Sequence, residues 1–185
     1  YNIGGITINS FMGIGTGESS VETIIRRLKY KTSIKNRIKM TDILVIDEIS
    51  MMSASVFEKI NHICQILKRS NKPFGGIQII LTGDFLQLET IFNSTTPLNN
   101  NSNDNRLIIE SELFKKMFSK STIILQENFR QKNDTKYIDI LMRIRKGLQN
   151  EHDIKTLQTR LLDTDNNSLI HLVSSNKKAQ SINTR

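Results

Sequence analysis

Four apolar residues, Ile43–Ile46, run directly into two adjacent carboxylates, Asp47 and Glu48. A short run that is apolar throughout is typical of a strand in a parallel sheet, covered by helices on both faces. A second apolar run, Ile77–Leu81, ends in the same way, in the polar segment TGDFLQL. The carboxyl ends of parallel strands meet at one edge of a sheet, where ligands bind. The two polar tips therefore predict a nucleoside-triphosphate site.

The segment between these two strands has the apolar spacing of a helix. Val56, Ile60, Ile63 and Leu67 recur at i, i+4, i+7 and i+11 and form one apolar face, and Ser53 precedes them as a candidate N-cap. Strand, helix and strand in this order imply a right-handed crossover between parallel strands. The predicted fold class is α/β, with a parallel sheet and helices on both of its faces.

Local patterns predict the remaining elements. Further helices are expected to open at Ser19, where Glu22 completes a capping-box pattern, over Ser111–Phe118, and around the apolar residues Ile140, Leu141, Ile144 and Leu148, and Ile154, Leu157 and Leu161. Ile3–Phe11 is predicted to be a strand or loop, and Ile123–Leu125 and Leu169–Val173 are predicted strands. Asn93–Asn105 is polar and low in complexity, as in a surface insertion.

The charge balance favours a polyanionic partner. The chain carries a net charge of +8 over 185 residues, and a basic segment extends from Arg26 to Lys39. This segment fits both a solvated helix face and a surface that binds a nucleic-acid backbone. The single cysteine, Cys64, excludes an internal disulfide framework and a multi-cysteine metal site. Its apolar neighbours predict that it is buried. No apolar stretch approaches the ~20 residues of a transmembrane helix.

The polar tips carry the side chains that triphosphate hydrolysis needs. Asp47 is predicted to hold Mg²⁺, which prefers oxygen ligands, and Glu48 to orient or deprotonate the attacking water. Gln87 can hydrogen-bond a phosphate oxygen and a water, and so sense the γ-phosphate. Asp84 is either a nucleotide contact or a turn residue after Gly83. Arg130 follows a short polar segment and is predicted to stabilise transferring phosphate.

The pattern G-x-x-x-x-G-K-[ST] of a phosphate loop does not occur in the chain. Gly13–Ser20 is rich in glycine but has no lysine at the required place, and no apolar strand precedes it. The expectation is that the chain is a piece of a longer protein whose phosphate loop lies upstream of Tyr1.

Together these motifs resemble the petite-integration-frequency family of DNA helicases, superfamily 1 relatives of the RecD motors. The resemblance rests on four ordered segments: GITINSFMGIG from Gly5, similar to motif Ia; IDEISM from Ile46, similar to Walker B; GDFLQL from Gly83, similar to motif III; and LQENFRQ from Leu125, similar to motif IV. Tyr137–Gly147 is similar to the helix after motif IV. Leu172–Asn183 resembles the segment that opens a second motor domain.

The resemblance implies a RecA-like P-loop NTPase fold that lacks its first strand and phosphate loop. Residues 1–165 would form part of the first motor domain, and 166–185 the start of the second. It implies an enzyme that uses ATP and Mg²⁺, moves 5′ to 3′ on single-stranded DNA and unwinds duplex junctions. DNA repair, recombination and telomere maintenance are the implied settings. In a eukaryote the implied compartment is the nucleus or the mitochondrion.

The family's strand-binding role maps onto four residues, Thr7, Asn9, Ser10 and Phe11. Two departures leave alternatives open: Asn9 stands where the family usually has histidine, and Glu89-Thr90 replaces a proline pair. One alternative is a degenerate remnant that binds nucleic acid or a partner without hydrolysing ATP. Independently of these departures, a motor that acts on RNA stays open as well, because nothing in the chain separates DNA from RNA. The oligomeric state stays open.

Overall fold

The computed structural model describes residues 3–88, 90, 106–130, 133–159 and 172–183. The chain forms two compact units, Tyr1–Phe129 and Arg130–Arg185. The first contains α1 (Ile8–Met12), α2 (Val21–Leu28), α3 (Thr32–Met40), β1 (Ile43–Ile46), α4 (Ala54–Lys68), β2 (Gln78–Leu81) and α5 (Glu112–Phe118). The second contains α6 (Thr135–Arg145), α7 (Glu151–Gln158) and α8 (Asn176–Asn183).

The sheet of the described residues has two parallel strands, as the sequence predicts. Ile43 pairs with Gln78 and Ile46 with Leu81. Backbone bonds continue the ladder past both strands, since the Thr82 amide donates to the Ile46 carbonyl at 2.9 Å. The carboxyl ends of β1 and β2 therefore lie side by side, which brings the two polar tips together.

The crossover between the strands is α4, which begins at the predicted cap. The Ser53 hydroxyl accepts from the Val56 amide at 3.3 Å. The predicted face packs inward: Ile60 and Ile63 are fully buried and Leu67 is nearly so. Burial raises the pKa of the Cys64 thiol to about 12, so this cysteine is a packing residue, as predicted.

A tight turn after α4 sets the start of β2. It spans Pro73–Gly76, and Phe74 lies in it with a positive φ of 50°. The buried Asn61 side chain accepts from the Phe74 amide at 2.7 Å, which secures this left-handed conformation. The Phe74 ring packs against Phe57 with centroids 5.0 Å apart. Pro73 and Gly75-Gly76 are residue types that favour such a turn.

The prediction that β1 is covered on both faces is wrong for the described residues. Leu44 and Ile46 enter the core, whereas Ile43 and Val45 are 56% and 59% exposed. Their outward side chains line a cavity instead of packing under a second layer of helices. An apolar run predicts burial, but it does not show which element covers each face of the strand.

Four local predictions are corrected. Ile3–Phe11, predicted to be a strand or loop, is a loop over residues 3–7 and helical from Ile8, where Thr7 caps α1 by accepting from the Ser10 amide at 3.3 Å. The next helix opens at Ser20 and not at Ser19, since the Ser20 hydroxyl accepts from the Thr23 amide. Ile123–Leu125 forms no strand and is exposed. Leu148 lies beyond the end of α6, after Gly147.

Other predictions fall partly or wholly outside the described residues. They are the Asn93–Asn105 insertion, most of the Leu169–Val173 strand (Leu172 and Val173 are described and form no strand), the Leu161 position and the 165/166 domain boundary. The predicted helix at Ser111–Phe118 is confirmed as α5, with Ser111 as its N-cap. In the described part of the chain no helix is long and apolar enough to cross a membrane.

An ion pair between the partly exposed Arg143 and the buried Asp153 joins α6 to α7 in the second unit. The Arg143 guanidinium donates to both carboxylate oxygens of Asp153, at 2.8 and 2.6 Å. The Asn150 amide donates to the same carboxylate at 3.1 Å. The bonds from Arg143, with that from Asn150, lower the pKa of Asp153 from 3.8 to about 2. This pair fixes the two helices against each other.

We expect Asp153→Asn to loosen this pair at pH 7, because the amide keeps the shape and loses the charge that both donors bind. The folded pKa lies below the unfolded one, so the stabilisation is complete above about pH 4 and is lost as pH falls towards 2. Hydrogen–deuterium exchange of the α6 and α7 amides, corrected for intrinsic pH dependence, measures both effects. Glu151→Gln, an exposed acid on α7, is the matched control. Equal exchange in the two variants would contradict this assignment.

Candidate nucleotide and strand-binding site

The carboxylates after β1 lie where the two strands end. Asp47 is exposed, and its Oδ1 accepts from the Glu48 amide at 3.0 Å. The Thr82 hydroxyl, which follows β2, donates to the same oxygen. One donor after each strand thus orients the Asp47 carboxylate, which stays exposed to solvent. An oriented, exposed carboxylate is the kind of oxygen ligand that Mg²⁺ uses while keeping several waters.

Glu48 leaves the strand in a left-handed conformation, with φ 55° and ψ 46°. This region costs a non-glycine residue about 1 to 3 kcal/mol, and such residues concentrate at functional sites. The Met51 amide bonds the Glu48 carbonyl at 3.2 Å, and a short 3₁₀ turn, Ile49–Met51, follows. The backbone therefore turns sharply directly after Asp47.

The tip of β2 approaches the turn after β1 closely. The Ile49 amide donates to the Thr82 carbonyl at 3.1 Å. A Cβ on Gly83 would lie 2.8 Å from the Ile49 nitrogen and 2.9 Å from Ile49 Cγ1. Only glycine permits this distance without a shift of the backbone.

Asp84 organises the turn that carries Gln87. Its side chain accepts from the Leu86 amide at 3.1 Å and from the Gln87 side-chain amide at 3.0 Å. The Gln87 backbone amide also donates to the Asp84 carbonyl at 3.0 Å. The turn role, one of the two predicted for Asp84, is therefore present. Its contact with nucleotide stays a prediction, as does γ-phosphate sensing by Gln87.

A cavity of about 1390 Å³ joins the carboxylates to the beginning of the chain. It exceeds the roughly 300–1,000 Å³ of ordinary ligand pockets. Its lining includes Asp47, Glu48, the exposed face of β1, and three of the predicted strand-binding residues, Thr7, Asn9 and Phe11. Ser10, Asp84 and Gln87 are described residues that do not line it. The described residues contain no group of three or more His, Cys, Asp or Glu that could hold a metal by themselves.

The predicted strand-binding residues all lie on or beside α1. Thr7 is its N-cap, and Gly13 ends it with φ 66°. A Cβ on Gly13 would meet Ile34 Cδ1 at 3.0 Å, so glycine also permits close packing here. The helix displays Ser10 and Thr7 to solvent, whereas Phe11 is half-buried against the core.

Arg130, the predicted phosphate-contacting arginine, is exposed and is the first residue of the second unit. The carboxylates and Gln87 belong to the first unit. The structure therefore brings Asp47, Glu48, Thr7, Asn9 and Phe11 to one cavity, and the role of Arg130 stays a prediction.

Two residues at this site were missed by the sequence analysis. Thr82 had a signal: in an in-register parallel pair that ends at Ile46 and Leu81, the next residues, Asp47 and Thr82, face each other. Lys59 gave no signal in the sequence, because lysines are common on the polar face of an amphipathic helix. Its ammonium donates to the Gly17 carbonyl and lines the cavity, tying the glycine-rich segment to α4.

Comparison with known proteins shows which family this chain resembles. The family model described as PIF1-like helicase matches residues 1–155. The ATP-dependent DNA helicase PIF1 of Candida albicans is 40% identical over 148 residues, which is 79% of this chain and 16% of that protein. The chain thus spans less than a fifth of this relative's length.

Solved structures of the same family share the fold. The crystal structure of the Candida albicans Pif1 helicase matches 99% of this chain and 40% of its own, with a TM-score of 0.83 and 33% identity. The Bacteroides Pif1 helicase in complex with ADP-AlF3 and ssDNA matches 99% of this chain and 43% of its own, with a TM-score of 0.76 and 23% identity. These matches confirm the predicted α/β, RecA-like fold. The chain belongs to the PIF1-like helicase family.

Proposed function

We propose that this chain is part of the first motor domain of an ATP-dependent DNA helicase. In the whole protein, ATP hydrolysis would drive 5′-to-3′ movement on single-stranded DNA and unwinding of duplex junctions. DNA repair, recombination and telomere maintenance are the proposed settings. The observation that carries the proposal is the cavity, which joins the carboxylates after β1 to the predicted strand-binding helix.

The residues of this chain fit Mg²⁺ and a triphosphate. Asp47 would hold the metal, directly or through water, since its Oδ1 is oriented by Thr82 and the Glu48 amide. When bound, Mg²⁺ neutralises charge on the β- and γ-phosphates. Glu48 would orient and deprotonate the attacking water from its left-handed position. Gln87 and Arg130 would contact the γ-phosphate, and Asp84 would support Gln87 and the nucleotide. The rest of the motor would supply the phosphate loop.

The strand-binding role is proposed for Thr7, Asn9, Ser10 and Phe11. Hydroxyl and amide groups suit phosphate and sugar, and an aromatic ring can stack on a base. The Bacteroides Pif1 complex contains both ADP-AlF3 and single-stranded DNA, which agrees with a site for each. Such contacts are largely independent of base sequence.

Hydrolysis by the full-length protein, with and without single-stranded DNA, tests this function. Strong stimulation by DNA, together with unwinding of forks that carry a 5′ tail, is expected. DNA binding with no turnover would contradict the motor and favour a remnant that only binds. Preferential stimulation by RNA oligonucleotides of the same sequence would contradict DNA as the substrate.

Glu48→Gln is expected to abolish hydrolysis and spare ATP binding, because the amide keeps the shape and cannot accept the proton of the attacking water. Turnover in the full-length protein and binding of a fluorescent nucleotide measure the two properties. Glu58→Gln, on α4 away from the cavity, is the control for loss of one carboxylate. Normal turnover in Glu48→Gln would refute the role of Glu48.

Thr82→Val should raise the Mg²⁺ concentration that gives half-maximal hydrolysis, because the Thr82 hydroxyl orients a proposed metal ligand, Asp47. Loss of such an outer partner commonly costs roughly 10- to 100-fold in metal affinity or activity. Titration of Mg²⁺ at saturating ATP measures the shift. Thr41→Val removes a hydroxyl that lines the same cavity before β1 and bonds a backbone carbonyl. Equal Mg²⁺ curves in the two variants would show that Thr82 does not act on Asp47.

Arg130→Ala should lower turnover by about 10³-fold or more if the guanidinium stabilises transferring phosphate. The affinity for ADP should stay unchanged, because ADP lacks the γ-phosphate that Arg130 is proposed to contact. Arg145→Ala is the matched control, an exposed arginine at the end of α6. A loss of turnover equal in both variants would remove any special role for Arg130.

A further inference from the structure

Arg37 reaches from α3 to the end of α1. Its Nη2 donates to the Ser10 carbonyl at 3.0 Å and to the Phe11 carbonyl at 2.9 Å. These are two of the last four carbonyls of a five-residue helix, which no intrahelical amide can satisfy. A helix this short has little stability of its own. Its conformation therefore depends on contacts such as these.

The same guanidinium packs against the Phe11 ring. Its central carbon lies 4.9 Å from the ring centroid, within the range of a cation–π contact. The Arg37 Nε is buried and has no hydrogen-bond partner among the described residues. Lys31 and Lys39 on either side of it along the chain are exposed. Arg37 thus differs from Lys31 and Lys39, because its guanidinium is partly buried and bonds the end of α1.

We propose that Arg37 is a positioning residue for DNA binding. It fixes α1 so that Asn9, Ser10 and Phe11 present their groups to the strand, without touching a phosphate itself. With one ring face covered by the guanidinium, Phe11 can offer a base only its remaining surface. This inference rests on the proposed function, in which α1 contacts single-stranded DNA.

The geometry requires arginine and not simply a positive charge. One planar guanidinium both donates to two carbonyls and lies over a ring, which a lysine ammonium on its flexible stem does not reproduce. The role therefore predicts that lysine fails to replace arginine. A direct contact with phosphate would predict the opposite.

The test compares Arg37→Lys with Lys116→Gln, a change at an exposed lysine of α5 that does not line the cavity, in the full-length protein. Affinity for a fluorescent oligo-dT is measured by anisotropy over a series of salt concentrations. Arg37→Lys is expected to bind oligo-dT about tenfold more weakly than the wild type. A loss of this size corresponds to roughly one stacked base. Its slope of log affinity against log salt should equal that of the wild type, because that slope counts the phosphates neutralised. Lys116→Gln should bind oligo-dT as the wild type does, because Lys116 lies apart from the proposed strand-binding residues.

A second readout separates positioning of α1 from a general structural role. In Arg37→Lys the DNA concentration for half-maximal ATPase should rise, while the KM for ATP without DNA stays unchanged. A parallel rise in KM would overturn the proposal, because the defect would then not be confined to α1. Normal DNA affinity in Arg37→Lys, or a shallower salt slope, would overturn it as well. Failure of the wild type itself to bind oligo-dT would contradict the proposed DNA-binding function, and with it the role of Arg37.

Phe11→Leu adds a test of the coupling between the ring and the guanidinium, and native hydrogen–deuterium exchange outside α1 shows that each variant is folded. If the ring and the guanidinium act as one unit, the double variant Arg37→Lys, Phe11→Leu should bind DNA little more weakly than the worse single variant. Additive losses would mean that Phe11 contacts DNA independently and that Arg37 does not act through it.

Discussion

The bonds that lock the ends of the two parallel strands together are the feature on which the site depends. The Thr82 amide donates to Ile46, and the Ile49 amide donates back to the Thr82 carbonyl. Each tip thus holds the other, and the Thr82 hydroxyl adds a bond to Asp47. Gly83 permits the contact, since any Cβ there would collide with Ile49. A shift of either strand by one residue would separate Asp47 from its partner.

This register is maintained by packing far from the site. The turn before β2 is held by Asn61, whose buried side chain bonds the Phe74 amide, and by the rings of Phe57 and Phe74. Because α4 carries both Asn61 and Phe57, the helix that connects the strands also fixes where the second one begins. The same helix carries Lys59, which bonds the glycine-rich segment at Gly17. One helix thus relates the carboxylates to the chain segment that follows α1.

Much of this arrangement could be predicted from the sequence, because its causes are local. The strand at Ile43–Ile46, its parallel partner and the helix capped by Ser53 follow from apolar spacing and from single capping residues. The position of Asp47 and Glu48 at a strand end follows from the same run. The left-handed turn at Glu48 does not, because glutamate has no preference for it.

The predictions that were wrong concern properties set by other parts of the fold. An apolar triplet such as Ile123–Leu125 has strand propensity, but a strand also needs a partner, and none pairs with it among the described residues. The start of α1 is an exception, because Thr7, predicted to lie in a strand or loop, is a local cap of that helix. The contacts of Arg37 join residues 26 and 27 positions apart in the chain, which no local pattern reveals.

The metal and nucleotide are proposed to sit at the joined ends of β1 and β2, and iron-directed cleavage of the full-length protein tests this most directly. Fe²⁺ replaces Mg²⁺, and ascorbate with peroxide produces radicals that cut the backbone beside the bound ion. We predict ATP-dependent cuts next to Asp47 and Thr82, which excess Mg²⁺ suppresses and Asp47→Asn removes. Cuts at other segments, unchanged in Asp47→Asn, would contradict this placement of the metal.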